Sequence, residues 1–199
     1  LGASTWEAFF NSLWVALVST VLCLVWALPL ATRRGELIGL LGIVVSPLVL
    51  GTGLFLILRS FVNPFSMALP VTILVNALVS LPFALRILRP EAEAIRHDYM
   101  RLAQSLGLTP AAWVRLVLLP RLRRPIGFAC GLTAALSMGD LGVIALFADP
   151  DRATLPLQVF RLMGSYQMEA AQGAALLLVT VSLALFWAFD RGGRVNAPT

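Results

Sequence analysis

The sequence contains no lysine, and all fifteen of its cations are arginines. It has one histidine and two cysteines, Cys23 and Cys130, both inside apolar runs. Without lysine there is no Gly-x-x-x-x-Gly-Lys loop to cradle a nucleotide phosphate. His97 stands without a second ligand nearby, and two scattered cysteines make no disulfide framework, so no metal site and no cystine scaffold are expected. No nucleophile, base and acid come together in a recognisable pattern; catalytic residues are expected to be absent, and the chain reads as a non-enzyme. Charge itself is scarce. Only 13% of residues are charged, against about a quarter in a soluble domain. What fills the space is apolar: 59% of residues are hydrophobic and the mean hydropathy is +0.87. Composition therefore points to an all-α, polytopic membrane protein. The net charge of +5 then concerns membrane topology, and no nucleic-acid partner is expected. The opening residues lack the charged stretch, short apolar segment and cleavage site of a signal peptide. A start on Leu1 is expected of a piece of a longer protein.

A bilayer core of about 30 Å takes about 20 helical residues. Uncharged runs cover residues 8–32, 37–58, 60–85 and 170–189, and residues 125–148 form a fifth with Asp140 as its one charge. Five spans are therefore expected. The segment 153–168 is too short and too polar to cross. It reads as an external amphipathic helix whose Leu157, Phe160, Leu162 and Met163 face apolar surroundings. Twelve arginines, from Arg33 and Arg34 through Arg86–Arg124 to Arg191 and Arg194, fall on one side, against Arg59, Arg152 and Arg161 on the other. The positive-inside bias places the 90–125 loop and the tail 191–199 in the cytoplasm, and the amino terminus outside. Small residues four apart, Gly127 and Gly131, Ala170 and Ala174, Ala171 and Ala175, permit close helix crossings within the bundle.

The loop is folded as well as charged. Ile95, Tyr99, Leu102 and Leu106 form a stripe at helical spacing. Gly107 stands where a helix end needs a left-handed residue. Thr109 follows as an N-cap and Pro110 as the first residue of a second helix, running to about Leu119 with Trp113, Leu116 and Val117 as its apolar face. Pro120 is expected to end it. Two short helices joined by a sharp bend at Gly107–Leu108 make a shape that a partner can fit. An interfacial helix pair resting on anionic headgroups is the plainer alternative.

With these residues in view, the loop resembles the "EAA" loop of ABC-transporter permeases: Glu-Ala-Ala, three residues, Gly, nine residues, Ile, one residue, Leu-Pro. Ala103, Gly107, Val117, Leu119 and Pro120 fall on that spacing. Arg101 stands for the glutamate, Leu102 for the first alanine and Val117 for the isoleucine. The likeness covers nearly the whole chain. Asn11–Ala31 resembles the first core span, "SMGDLGVIALF" the Gly-acid-apolar-Gly segment of the fourth, and "TLPLQVFRLMGSY" the last external segment. The pattern is nearest to permeases of bacterial thiamine or thiamine pyrophosphate importers, at their carboxyl-terminal half. Permeases for ferric iron, polyamines and oxyanions share much of it. The resemblance implies a permease domain over residues 6–190 in the bacterial inner membrane. It also implies a second permease half, an external substrate-binding protein, and an ABC ATPase dimer that supplies ATP and Mg. This chain itself would hold no cofactor. Residues 101–103, Gly107, Leu108, Thr109, Pro110, Val117, Leu119 and Pro120 would couple to the ATPase.

Among single residues, Asp140 is a costly charge inside a span. It reads either as pathway lining or as a structural acceptor capping a helix break near Gly139 and Gly142. Asn11 and Asn76 read as interhelical hydrogen-bonders or as pathway residues. Trp187 reads as an interface anchor. Arg121, Arg123 and Arg124 lie at the membrane junction, where lipid is the default partner. Two readings of other classes stay open: an ion-gradient-driven transporter, for which Asp140 alone qualifies as a coupling group, and a non-transporting membrane anchor.

Overall fold

The computed structural model describes residues 3–32, 46–61, 63–147 and 153–195. All regular secondary structure among these residues is helical. Helix α1 spans Ala3–Thr32 and α2 spans Pro47–Leu58. After a 3-10 turn at Pro64–Met67, α3 runs from Ala68 to Ser105. The loop holds α4, Pro110–Trp113, a π turn at Val114–Leu118, and α5, Leu119–Arg121. Helices α6, Arg123–Met138, and α7, Gly142–Phe147, follow. An amphipathic α8, Leu155–Gly164, and a final α9, Met168–Val195, complete the order. Four segments are long and apolar enough to cross a membrane: α1, α3, α6 with α7, and α9. Of the second expected span, residues 47–58 form a shorter apolar helix; residues 37–45 lie outside the described residues. So do Arg33, Arg34, Arg152 and residues 196–199 of the tail.

The centre is a three-helix pack of α1, α3 and α6. Its loop-side half is built from Cys23, Ala27, Ala31, Ala77, Ala84 and Ala129, with Leu81, Leu85 and Leu88 between them. Small side chains let backbones approach closely, and in lipid that approach replaces the hydrophobic drive of a soluble core. The far half is bulkier. Val71, Val75, Val143, Ile144, Phe147, Leu155 and Leu157 form its centre, with Phe55 edge-on to Phe147 at 5.4 Å between ring centres. Helix α9 packs on α6 at glycines. A Cβ on Gly127 would lie 2.7 Å from the Phe189 carbonyl oxygen and 2.8 Å from Gly193 Cα, and one on Gly131 would lie 2.9 Å from the Phe186 oxygen. The expected Gly127–Gly131 pair is thus a contact within the chain. The alanines sort differently. Ala171 and Ala174, three apart, are the buried pair, while Ala170 is exposed.

Three expectations need correction. First, the loop's leading helix is not a separate short helix: α3 is one 38-residue helix that leaves the apolar region and continues to Ser105. Pro82 and Pro90 lie inside it. Each removes one ladder bond, yet neither stops the helix, because flanking bonds and neighbouring helices keep the path. Second, the stripe along it is only half covered. Ile95 is buried and Tyr99 packs on the loop's small core, but Leu102 and Leu106 are 56% and 67% exposed. Third, the helical path after Pro110 does not end at Pro120. It passes through a π turn, where the Leu119 N–H donates to the Val114 carbonyl, and reaches Arg121. Pro120 cannot donate to the Leu116 carbonyl and its ring crowds that oxygen; widening the turn by one residue removes the conflict. The change of register buries Leu118 and leaves Leu116 64% exposed. Along α8, Leu155 and Leu157 are buried, while Phe160 and Met163 turn away from the protein.

Candidate functional site

The bend after α3 is closed by a pair of backbone hydrogen bonds. Leu108 N–H donates to the Ala103 carbonyl at 3.0 Å and Gly107 N–H to the Gln104 carbonyl at 3.1 Å. This 6→1 and 5→2 pairing is the Schellman motif. It requires a left-handed residue, and Gly107 has φ +65°. Two residues on, Thr109 Oγ1 accepts from the Ala112 N–H at 3.3 Å, and Pro110 opens the helix. Only Leu108 therefore separates the stop signal from the start signal. Truncating the cap, Thr109→Ala, is expected to lower stability by about 1 kcal/mol. Chemical denaturation of the purified protein, set against the wild type, measures it.

The bend is braced from inside. Ala92, Ile95, Leu118 and Leu122 form a buried cluster flanked by Tyr99, Trp113 and Val117. The Arg121 guanidinium stacks over the Tyr99 ring at 3.9 Å, a cation–π contact that ties α5 back to α3. The candidate coupling residues divide accordingly. Ala103 faces inward and Val117 packs on the cluster, while Leu108 and Pro120 are half-buried. Arg101, Leu102, Gly107, Thr109, Pro110 and Leu119 are exposed. Beside them stand Leu106 and Leu116, which the motif spacing passes over. The loop thus presents apolar knobs on a rigid bend. His97 is exposed and meets Asp98 Oδ1 at 3.2 Å.

A second feature lies at the break between α6 and α7. Asp140 Oδ1 accepts from the Gly142 N–H at 3.1 Å, which supplies an acceptor to the restarting helix. Its Oδ2 is buried and has no hydrogen-bond partner among the described residues. Asn76, from α3, donates to Ser137 Oγ at 2.9 Å. Asn76, Ser80, Ser137 and Asp140 line one cavity of about 360 Å³, with Phe83 and Pro47 among its walls. Two of the three polar candidates therefore meet. Asn11 does not join them: its Nδ2 donates to the Ala153 carbonyl at 3.1 Å and fastens α1 to the segment before α8. Ser12 adds a second tie there, accepting from the Leu155 N–H at 2.7 Å. The sequence reading missed Ser80 and Ser137; their one signal was a hydroxyl inside an apolar run.

No family model matches the chain. Individual relatives do. A protein named "Thiamine transport system permease protein ThiP" from Brucella abortus (strain 2308) is 37% identical over 197 residues, covering 94% of this chain and 36% of the relative. The protein of the same name from Escherichia coli (strain K12) is 32% identical over 200 residues, covering 94% of this chain and 37% of the relative. A protein from Salmonella paratyphi A (strain ATCC 9150 / SARB42), whose name refers to 2-aminoethylphosphonate transport, is 37% identical over 91 residues. That match covers 46% of this chain and 34% of the relative. The chain spans little more than a third of the length of the curated relatives it matches. Nearly end-to-end similarity and an all-helical fold with four helices long and apolar enough to cross a membrane agree: the chain is similar to the carboxyl-terminal part of these transport-system permeases.

Proposed function

We propose that this chain is the translocating, ATPase-coupled part of a binding-protein-dependent importer for thiamine or its phosphates, in the bacterial inner membrane. The observation that carries the proposal is the bend. It is fixed by backbone bonds, exposes Leu102, Leu106 and Leu116, and ends a helix continuous with a membrane span. A motor subunit that grips such a bend moves the span directly, as one rigid body. ATP and Mg would be bound by that partner ATPase dimer, and a second permease half and an external binding protein would complete the pathway. The bend faces the cytoplasm on the arginine distribution. The names of the relatives favour thiamine. The cavity lined by Asp140 suits that choice: a carboxylate inside a span and the ring of Phe83 favour a cationic aromatic solute.

The test is uptake by the intact permease, reconstituted with its ATPase and binding protein. Thiamine should enter vesicles only when ATP is supplied on the loop side. Asp140→Asn is expected to lower uptake roughly tenfold, the worth of one charged contact, without changing ATPase binding. Uptake that persists without ATP and collapses with the proton gradient would instead assign an ion-driven transporter. ATPase binding without any flux would assign a membrane anchor.

A further inference from the structure

Where α3 and α9 meet the start of α6, the loop-side surface opens into a cleft of about 650 Å³. Arg121, Arg124 and Arg194 line it, together with Glu91 and Asp190. Arg194 pairs with Asp190 at 2.7 Å, one turn back along α9. Arg124 has no ionic or hydrogen-bonding partner among the described residues, and Arg121 has its stacking contact with Tyr99. The cleft is floored by Ile87, Pro125 and Phe128. Phe128 is 40% exposed and stands edge-on to Phe186 at 5.5 Å, so the floor runs on to the apolar outside of the bundle.

Three features specify what fits. The first is charge. Helix α6 opens with Arg123 and Arg124 and has no acid in its first turn, so two cations sit on the positive end of its dipole. Anions are stabilised at that position and cations are not. The second is level. Trp187 is 61% exposed, Arg191 lies over its ring at 5.1 Å, and both are within a turn of Asp190. An exposed tryptophan beside arginine marks the headgroup layer. The third is distance from the bend. Glu91 lies 14 residues before the end of α3, about 21 Å along the helix. The wall that carries Glu91 therefore stands clear of a partner gripping the bend, while Arg121 closes the cleft on the side of the bend.

We propose that the cleft is a site for an anionic phospholipid. Arg121 and Arg124 take the headgroup phosphate through their planar forks, and an acyl chain follows the apolar floor over Phe128. The site lies apart from the transport cavity and does not depend on what is carried.

The test uses the intact permease in nanodiscs of phosphatidylcholine with a minor fraction of phosphatidylglycerol or cardiolipin. Lipid retained through detergent extraction is counted by native mass spectrometry. The anionic lipid should be enriched, and Arg124→Gln should cut the enrichment about fivefold, the weight of one arginine at a charged surface. Arg194→Gln, on another helix, should also lower it, and Arg115→Gln, which removes the same charge outside the cleft, should not. Equal enrichment in wild type and both cleft variants overturns the proposal. So does inorganic phosphate that stabilises the protein in pure phosphatidylcholine and displaces the retained lipid, since the site would then belong to a soluble anion.

Discussion

Gly127→Leu is expected to abolish folded protein in the membrane. The position has no room: an added Cβ alone would lie 2.7 Å from one backbone atom of α9 and 2.8 Å from another. Neither is the end of a flexible side chain, so the helices themselves must part. Gly193 faces it from α9, and a Cβ there would meet the Arg123 oxygen at 2.7 Å. Separation at this point also breaks the approach at Gly131, one turn away. Overpacking a core costs about 1–3 kcal/mol where side chains can shift; here the cost falls on backbone. Near its start α9 is held at Ala171 and Ala174, which are buried, but further on Val179, Leu183 and Trp187 are exposed, so its later half depends on the contact with α6. Fluorescence-detected size exclusion of the tagged protein measures the result, which should be aggregated or degraded material. Gly53→Leu serves as the control, since a Cβ there meets nothing within 4 Å. A monodisperse Gly127→Leu protein would show that the α6–α9 seam is not required.

Gly107→Val should leave the fold intact and stop transport. A Cβ at Gly107 meets nothing within 4 Å, so crowding is not the issue. The issue is φ, which is +65°, a region costing an ordinary residue about 1–2 kcal/mol and a β-branched one more. Valine relieves that strain by leaving the left-handed region. The 6→1 and 5→2 bonds then open and the second helix points elsewhere. Helix α3 stays in the membrane because its burial is unaffected. On the proposed coupling role, ATP-dependent uptake should fall by more than about tenfold, while elution volume and helical content stay as in wild type. Asparagine tolerates left-handed backbone, so Gly107→Asn should recover most of the uptake. Recovery by asparagine assigns the effect to backbone shape. An equal failure of both variants assigns it to a contact that needs a bare glycine. Normal uptake by Gly107→Val removes the bend from the coupling path.

Much of this was legible in the chain. Apolar runs located α1, α3 and α9, because a lipid environment demands continuous hydrophobicity and leaves a long, unbroken signal. The bend was legible because Gly107, Thr109 and Pro110 occupied closely spaced specialised positions, each with its own stereochemical reason. What escaped was whatever depends on context. Pro90 looked like the start of a loop, yet proline stops a helix only when nothing else maintains it, and α3 is held by neighbours on both sides. Leu102 and Leu106 continued the stripe of Ile95 and Tyr99, but α4 and α5 are too short to cover its far end. Pro120 was read as a terminus, and became the cause of a π turn instead. Asn76 and Asp140 were each conspicuous. Their shared cavity was not, because 64 positions separate them in the chain and no local pattern records that distance.

The length of α3 sets a limit on how motion passes through the molecule. The helix's buried positions run from Ala68 to Ile95, and beyond them only Ala103 is buried. The free end, residues 96–105, is an arm of about 15 Å on a held rod of about 42 Å. A rod gripped over most of its length cannot rock about one point, so a push on the free end is passed to the helices that hold it. On the proposed coupling role, a partner driving that end must therefore shift α1 and α6 together with α3.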